Sequence, residues 1–278
     1  MNPYRIGLRR GLIELRQSFT NPGDLFNHLF WPVLMLVAMY FMRDATFGAT
    51  GLGLGALALP SVLGLNVAAA MLTMSQHLTI DREDGTLLRA KATPHGMRGH
   101  LTGKLVLVGV GLIAELAIFL VPGLFIVPGL ATGGVTAWLT VAWVALLGVV
   151  AALPLGAVLG SVLGSPRGQG LLQVPFLGLI GISGIFYPIS ALPEWVQWIA
   201  QAFPFYWLGL GMRSALLPDA AVAVEIGQSW RHLETVGVLG AWAVLGLLLA
   251  PVVLRRMARG ESGSSVAGRR DRALQRVG

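Results

Sequence analysis

Long apolar runs separated by short polar segments dominate the sequence. A helix of about 18 or more uncharged residues can cross the ~30 Å hydrocarbon core of a bilayer. Spans of this kind are predicted at 25–42, 52–76, 105–128, 135–163, 171–187 and 235–254. The stretch that holds the third and fourth spans is too long for one helix, and the Pro-Gly and Gly-Gly pairs within 127–134 supply the break. The pattern therefore predicts an all-α membrane protein with six transmembrane helices.

The segment before the first apolar run, residues 3–19, is amphipathic. One helical face carries Tyr4, Leu8, Leu12, Leu15 and Phe19, and the flank beside it carries Arg5, Arg9 and Arg16. A helix of this type lies in the membrane interface, where its basic side chains reach lipid phosphates. We therefore expect an N-terminal interfacial helix and not a seventh span.

Basic residues are confined to a few places along the chain. Of 20 Lys and Arg residues, 17 lie within 1–24, 77–104, 164–170 and 255–278, whereas the predicted exterior loops contain only Arg43, Arg213 and Arg231. Loops rich in Lys and Arg stay on the cytoplasmic side. We therefore expect a multi-pass protein of the cell membrane with both termini cytoplasmic. The main unit would occupy 1–254, and 255–278 would form a disordered basic tail.

The composition supports a membrane protein and argues against a soluble domain, a nucleic-acid-binding protein and a metal-binding protein. Hydrophobic residues make up 55% of the chain and charged residues 12%, against about 25% charged residues in soluble domains. The net charge of +7 is explained by contact with membrane lipid, so no nucleic acid partner is expected. The absence of cysteine excludes disulfides and thiolate metal sites, and no other metal site is predicted.

The loop at 77–104 is the longest cytoplasmic segment and reads HLTIDREDGTLLRAKATPHGMRGHLTGK. The second span is expected to continue as a helix through Asp81–Asp84, where Gly85 interrupts it. A short helix then covers 86–92, and Pro94 ends it. A short helix held between two spans acts as a lever, although a solvated loop, with His100 exposed on it, explains the residues equally well.

Within this loop, the pattern DREDGTL…ATP…GK resembles the ERExGTL…TP…GK stretch of type-2 permeases of ATP-binding-cassette (ABC) exporters, in particular their drug-resistance branch. The matching residues are Arg82, Glu83, Gly85, Thr86, Leu87, Thr93, Pro94, Gly103 and Lys104, with Asp81 in place of the usual Glu. The resemblance implies that residues 81–94 form the coupling helix that docks on a nucleotide-binding subunit.

A second stretch, SGIFYPISALPEWVQWIAQAFPFYWLGLGMRSAL, resembles the same family's SGxxFPxxxLPxWLxxxxxxxPxTYxxxxxR. The match includes Phe186, Pro188, Pro193, Trp195, Pro204 and Tyr206. The resemblance implies a re-entrant helical hairpin at 188–213 that enters the outer leaflet and returns. The spacing of Trp195, Trp198 and Ile199 supports an amphipathic helix here that is too short to span a membrane and suits its interface.

No catalytic motif is found in the sequence. The nearest approach to a phosphate-binding GxxxxGK[ST] loop is GHLTGKL, which has the wrong glycine spacing and Leu105 in place of Ser or Thr. The chain is therefore not expected to be an enzyme or to hold a cofactor. ATP and Mg²⁺ would be bound by separate ATPase subunits, and a second permease subunit, identical or different, would complete the assembly.

Two polar residues lie deep in predicted spans. Glu115 falls near the bilayer midplane, counted from Leu105 at about 1.5 Å per residue, and Asn66 lies at similar depth on the second span. A buried charge there must be protonated, paired or facing water. Glu115 either lines a translocation path together with Asn66 or packs helices by a hydrogen bond to Asn66.

Glycines in the fourth span also have a defined spacing. Gly156, Gly160 and Gly164 form two overlapping GxxxG steps. They are expected to pack closely against another helix of the same chain or of a second subunit.

Together these features predict the permease subunit of an ATP-driven exporter for drugs or other hydrophobic and amphiphilic small molecules. One alternative is a type-2 permease that exports a glycolipid or polysaccharide. Another is a secondary transporter driven by an ion gradient, with Glu115 as the proton carrier.

Overall fold

The computed structural model describes residues 2–45, 53–185 and 187–260. All regular structure in these ranges is helical, so the predicted all-α fold is confirmed. The α-helices are α1 Pro3–Thr20, α2 Pro22–Phe41, α3 Leu54–Glu83, α4 Thr86–Lys91, α5 Gly96–Ile126, α6 Val135–Val162, α7 Pro166–Ile182, α8 Glu194–Ala202, α9 Pro204–Leu216 and α10 His232–Gly260. Short 3₁₀ turns connect α7 to α8 and α9 to α10.

Within the described ranges, five helices are long and apolar enough to cross a membrane: α2, α3, α5, α6 and α10. Helix α6 lies within its predicted span, 135–163. The other four begin or end outside their predicted spans, because a helix does not need to stop where the hydrocarbon core stops. The prediction that the tail leaves the helix at residue 255 is wrong, since α10 continues to Gly260. The rest of the predicted tail, 261–278, lies outside the described residues.

The fifth predicted span corresponds to α7, but its bounds are shifted. The prediction was 171–187, and the helix occupies Pro166–Ile182. It starts earlier because the Ser165 side chain caps it by accepting a hydrogen bond from the Gly168 N–H at 3.1 Å. It ends earlier because the chain turns at Gly184, which has a φ of +65°. With 17 residues, α7 is about 26 Å long, slightly shorter than the ~30 Å core.

Helix α3 lies at the centre of the bundle, and glycines set its distance from two neighbours. A Cβ at Gly160 of α6 would lie 2.7 Å from the Ser75 carbonyl oxygen of α3. A Cβ at Gly64 of α3 would lie 2.8 Å from the backbone of Gly209 on α9. Gly156 is also in close contact with α3, at the Met71 carbonyl. The GxxxG glycines of α6 therefore pack within the chain.

Glycines also join α1 to α5. Gly7 packs against the carbonyl of Gly99, and a Cβ at Gly11 would lie 2.5 Å from the Gly103 carbonyl oxygen. The apolar side chains of α1, such as Tyr4 and Leu8, are exposed on the surface of the protein. This arrangement fits an interfacial helix whose small residues contact the bundle and whose large apolar residues contact lipid.

The contact between α1 and α5 gives a testable prediction. Gly11→Ala should lower the free energy of unfolding by about 1–3 kcal/mol, because the new methyl group must displace the backbone of α5. Thermal unfolding of the purified protein in detergent would measure the change.

Gly240→Ala is the matched control, because Gly240 is also helical and a Cβ there meets nothing within 4 Å. This control should retain or raise the melting temperature, since alanine favours a helix over glycine. Equal melting temperatures for the two variants would contradict the close contact.

Candidate functional site

The lever between α3 and α5 has the predicted construction. Helix α3 continues to Glu83, and Gly85 adopts the left-handed conformation, with a φ of 75°, that glycine accepts without strain. The Asp84 side chain then caps α4 by accepting a hydrogen bond from the Thr86 N–H at 2.8 Å. Leu87 is only 1% exposed. It therefore anchors α4 to the bundle.

The outer side of this lever faces away from the protein. Its exposed residues are Glu83, Asp84, Arg89 and residues 91–95, which we call the coupling surface. Thr93 and Pro94 lie at its centre, in the turn between α4 and α5, and Thr93 donates a hydrogen bond from Oγ1 to the Ala90 carbonyl at 3.0 Å. Arg82 lies apart from this surface, with its guanidinium beside Gly164. The coupling surface is accessible to a second subunit.

Behind the lever, a chain of charged side chains joins α1, α3 and α5. Lys104 Nζ lies 3.1 Å from Asp81 Oδ2 and 2.9 Å from Glu14 Oε2. Asp81 also lies 3.2 Å from His100 Nε2, and the His100 side chain is 1% exposed. The expectation of an exposed His100 is therefore wrong. Asp81, predicted to dock a partner, instead holds Lys104 inside the protein.

The Glu14 carboxylate is ionised in this chain of charges. Burial opposes its ionisation, but hydrogen bonds from Arg10 and Lys104 and the positive charges of both hold its pKa below the ordinary value. Arg10 Nε lies 2.7 Å from Glu14 Oε1. The contact between Glu14 and Lys104 is therefore an ion pair at neutral pH.

A small polar pocket of about 70 Å³ lies deeper, between α1, α2, α3 and α5. Its polar lining residues are Ser18, His28, Asn66, Thr73, His77 and Glu115. The His28 ring is in contact with two of them, since Nδ1 lies 2.7 Å from Glu115 Oε1 and Nε2 lies 2.6 Å from Ser18 Oγ. The ring of Phe19 stacks on His28 with 4.6 Å between the ring centroids.

The structure therefore brings Asn66 and Glu115 to one pocket, but it joins Glu115 to His28. His28 is absent from the predicted site residues, and it lies 87 residues away from Glu115 along the chain. A single histidine near the start of an apolar run gives no signal of its partner. The side chain of Glu115 is 35% exposed, so it is only partly buried in the pocket.

The segment predicted as a re-entrant hairpin forms two short helices. Pro193 precedes α8, Pro204 begins α9, and Phe203 lies between them with an extended backbone. Pro188 precedes the 3₁₀ turn Ile189–Ala191, and Phe186 lies outside the described residues.

The deep end of this hairpin lies about halfway along α3, where Pro204 lines a small cavity together with Ala68 and Met71. Its far end is at the connection between α5 and α6, where the Leu216 carbonyl accepts a hydrogen bond from Ala131 N–H at 2.8 Å. Trp195 is 68% exposed, whereas Tyr206 is fully buried. Helix α9 is therefore buried in the bundle, whereas α8 lies on its surface.

Helix α9 carries a buried ion pair that the sequence did not reveal. Arg213 Nε lies 2.7 Å from Glu225 Oε1, and their side chains are 5% and 3% exposed. The expectation that Arg213 lies in an exterior loop is wrong. The pair ties α9 to the segment that leads into α10.

Most of these features lie in a part of the chain that matches a known protein family. The sequence profile of the ABC-2 type transporters matches residues 16–217. The chain belongs to the ABC-2 type transporter family. The match extends from α1 through α9 and includes the coupling surface, the polar pocket and the hairpin. No protein with a curated description is detectably similar to the chain.

Membership confirms that the chain is a type-2 ABC permease, without assigning it to a branch of the family. Such permeases are membrane components of transport and not catalysts, and they work with an ATPase partner in general. The ABC-2 permease is accordingly a multi-pass membrane protein.

The charged chain gives a prediction for this permease. Lys104→Met should lower the free energy of unfolding by about 3–5 kcal/mol, because it removes the buried cation that Asp81 faces and breaks the link between Asp81 and Glu14. Asp81 would keep only His100 as a partner, and Glu14 would keep only Arg10. Thermal unfolding in detergent at neutral pH would measure the effect as a lower melting temperature.

Lys91→Met is the control, since Lys91 is exposed and exposed ion pairs contribute only about 0–1 kcal/mol. Similar losses in the two variants would show that Lys104 has no special structural role.

Proposed function

We propose that the chain is the membrane subunit of an ATP-driven exporter. The observation that carries this proposal is the coupling surface: an exposed turn, at the end of two helices, in a chain of the ABC-2 family. Nucleotide-binding subunits would dock on it, and they would bind ATP and Mg²⁺. Because these subunits are cytoplasmic, the coupling surface and both termini would face the cytoplasm, as the basic loops also indicate.

The contacts behind the coupling surface support the proposal that movement of α4 is transmitted to α3 and α5. Leu87 anchors α4 in the bundle, and Lys104 joins α5 to α3 through Asp81. A displacement of the lever would therefore move α3 and α5 together. These helices carry Asn66 and Glu115, which line the polar pocket. Nucleotide and substrate would each favour one of two arrangements, which is the energetic requirement for coupling.

A second permease subunit would pack against α7, which has a largely exposed apolar face. Leu171, Val174 and Leu177 are 63–71% exposed. Gly170, Gly178 and Gly181 are exposed too, and a Cβ at any of them meets nothing within 4 Å. Small exposed residues allow another helix to approach closely. This face supports a dimer, formed with a copy of the chain or with a different permease.

Drugs and other hydrophobic or amphiphilic small molecules are the substrate class that we propose, with multidrug efflux and antibiotic resistance as the biological role. Glu115 is only partly buried and would favour cationic amphiphiles. Export of a glycolipid or polysaccharide would need aromatic rings directed into a path. Trp195 and Trp198 are instead about 70% exposed on the outside of α8, where they suit membrane anchoring. Membership of the ABC-2 family disfavours an ion-driven secondary transporter.

The role of α4 as a lever can be tested by weakening its attachment to the bundle. Leu87→Ala should lower the amount of substrate exported per ATP hydrolysed by several-fold, because the lever loses the buried side chain that attaches it to the bundle. The measurement needs vesicles that contain the permease and its nucleotide-binding subunit, with export and ATP turnover followed in parallel.

Leu88→Ala is the matched control, since Leu88 is the neighbouring residue of α4 and is less buried. It should leave the ratio of export to hydrolysis near the wild-type value. An unchanged ratio in folded Leu87→Ala protein would count against α4 as the lever, and failure of the ATPase to bind the wild-type permease would refute the proposed function.

The role of Glu115 can be tested by removing its charge. Glu115→Gln should reduce export of cationic compounds at least several-fold and leave export of neutral compounds near normal, because the amide keeps the hydrogen bond to His28 but not the negative charge. Transport assays in the same vesicles would measure both classes. Equal effects on both classes would assign Glu115 to helix packing.

A further inference from the structure

One cavity in the described part of the chain belongs to neither the polar pocket nor the hairpin. It has a volume of about 530 Å³ and opens between α5 and α10, near the ends of these helices on the side of the coupling surface. Met74, Pro154 and Ala157 line its base, and leucine side chains of α5 and α10 line its walls. Its size is in the range of about 300–1,000 Å³ that is typical of ligand sites.

The rim of this cavity is positively charged. Arg98 on α5 and Arg255 and Arg259 on α10 line it, and all three are exposed. Within the described ranges, their guanidinium groups form no ion pair and no acidic residue lines the cavity. An apolar interior with three arginines at its mouth fits a ligand that has an apolar chain and an anionic head.

We propose that this cavity binds an anionic phospholipid, with one acyl chain between α5 and α10 and the phosphate at the three arginines. Guanidinium groups bind phosphate oxygens through paired hydrogen bonds, and the walls offer an acyl chain the apolar surroundings that it has in the bilayer. The C-terminal segment 261–278 is not a suitable occupant, because it carries four arginines and only two acidic residues. Its charge has the same sign as that of the rim.

The lipid site has a consequence for the bundle. A bound lipid contacts both α5 and α10 near the lever, and Lys91 Nζ of α4 lies 3.5 Å from the Arg259 carbonyl oxygen at the same rim. The occupied cavity would therefore hold these helices at one separation. The proposal itself rests on the cavity and its charge and does not depend on the transported substrate.

The test compares lipid retention by the purified, delipidated full chain after incubation with equal amounts of dioleoyl phosphatidylglycerol and dioleoyl phosphatidylcholine. Native mass spectrometry would count the lipids retained. The wild type should retain more phosphatidylglycerol than phosphatidylcholine. The double variant Arg98→Gln/Arg255→Gln should lower the ratio of the two retained lipids by about fivefold for each arginine replaced. Arg256→Gln is the matched control, because Arg256 is exposed on the same helix but does not line the cavity.

A second pair of variants tests the acyl-chain part of the site. Ala258→Trp should reduce retention of phosphatidylglycerol by filling the cavity, whereas Ala241→Trp, at an exposed position of α10 outside it, should not. Excess glycerol phosphate should fail to displace the lipid.

The proposal would be overturned if the wild type retained the two lipids equally, or if Arg256→Gln lowered the preference for phosphatidylglycerol as much as the double arginine variant. Equal retention of phosphatidylglycerol by the two tryptophan variants would also overturn it. Displacement of the lipid by glycerol phosphate would indicate a free phosphate site and would overturn it as well. Variants are compared only when they elute as a single folded species.

Discussion

Close backbone contact at glycines is the constraint on which the rest of this structure depends. Lipid tails are as apolar as leucine, so helices in a membrane gain little from the hydrophobic effect and must gain from packing. Here α6 and α9 contact α3 at Gly160 and Gly64, and α1 contacts α5 at Gly11. Larger side chains at these positions would separate the helices, and the polar contacts between them would be lost with the separation.

The charged residues are placed where these close contacts bring three helices together. Lys104 can reach both Asp81 and Glu14 only because α1 and α3 lie on either side of α5 at short distance. A buried charge is stable when it is paired and costly when it is not, so this chain of charges favours one relative position of the three helices. The ends of α3 and α5 behind the coupling surface are therefore joined by a buried ion pair, which is the kind of connection that the proposed lever needs.

Local features were predictable where one residue type determines the backbone. Gly85 interrupts the helix before α4, and Pro193 and Pro204 mark the beginnings of α8 and α9, because glycine and proline act within their own turn of chain. The bounds of α7 were not predictable in this way. Its start depends on the Ser165 cap and its end on the turn at Gly184, whereas the apolar pattern continues beyond that end.

The amino-acid sequence by itself determined that the chain is an all-helical membrane permease and where most of its helices lie. The helices follow from the length of apolar runs and from the local effects of glycine, proline and charge. The permease assignment follows from the two stretches that resemble the type-2 ABC permeases. Only the tertiary structure decided that His28 is the partner of Glu115, that Lys104 joins α1 to α3, and that Arg213 is buried against Glu225. The reason is that such pairs depend on how distant helices are oriented about their axes, and no periodicity within one helix contains that information.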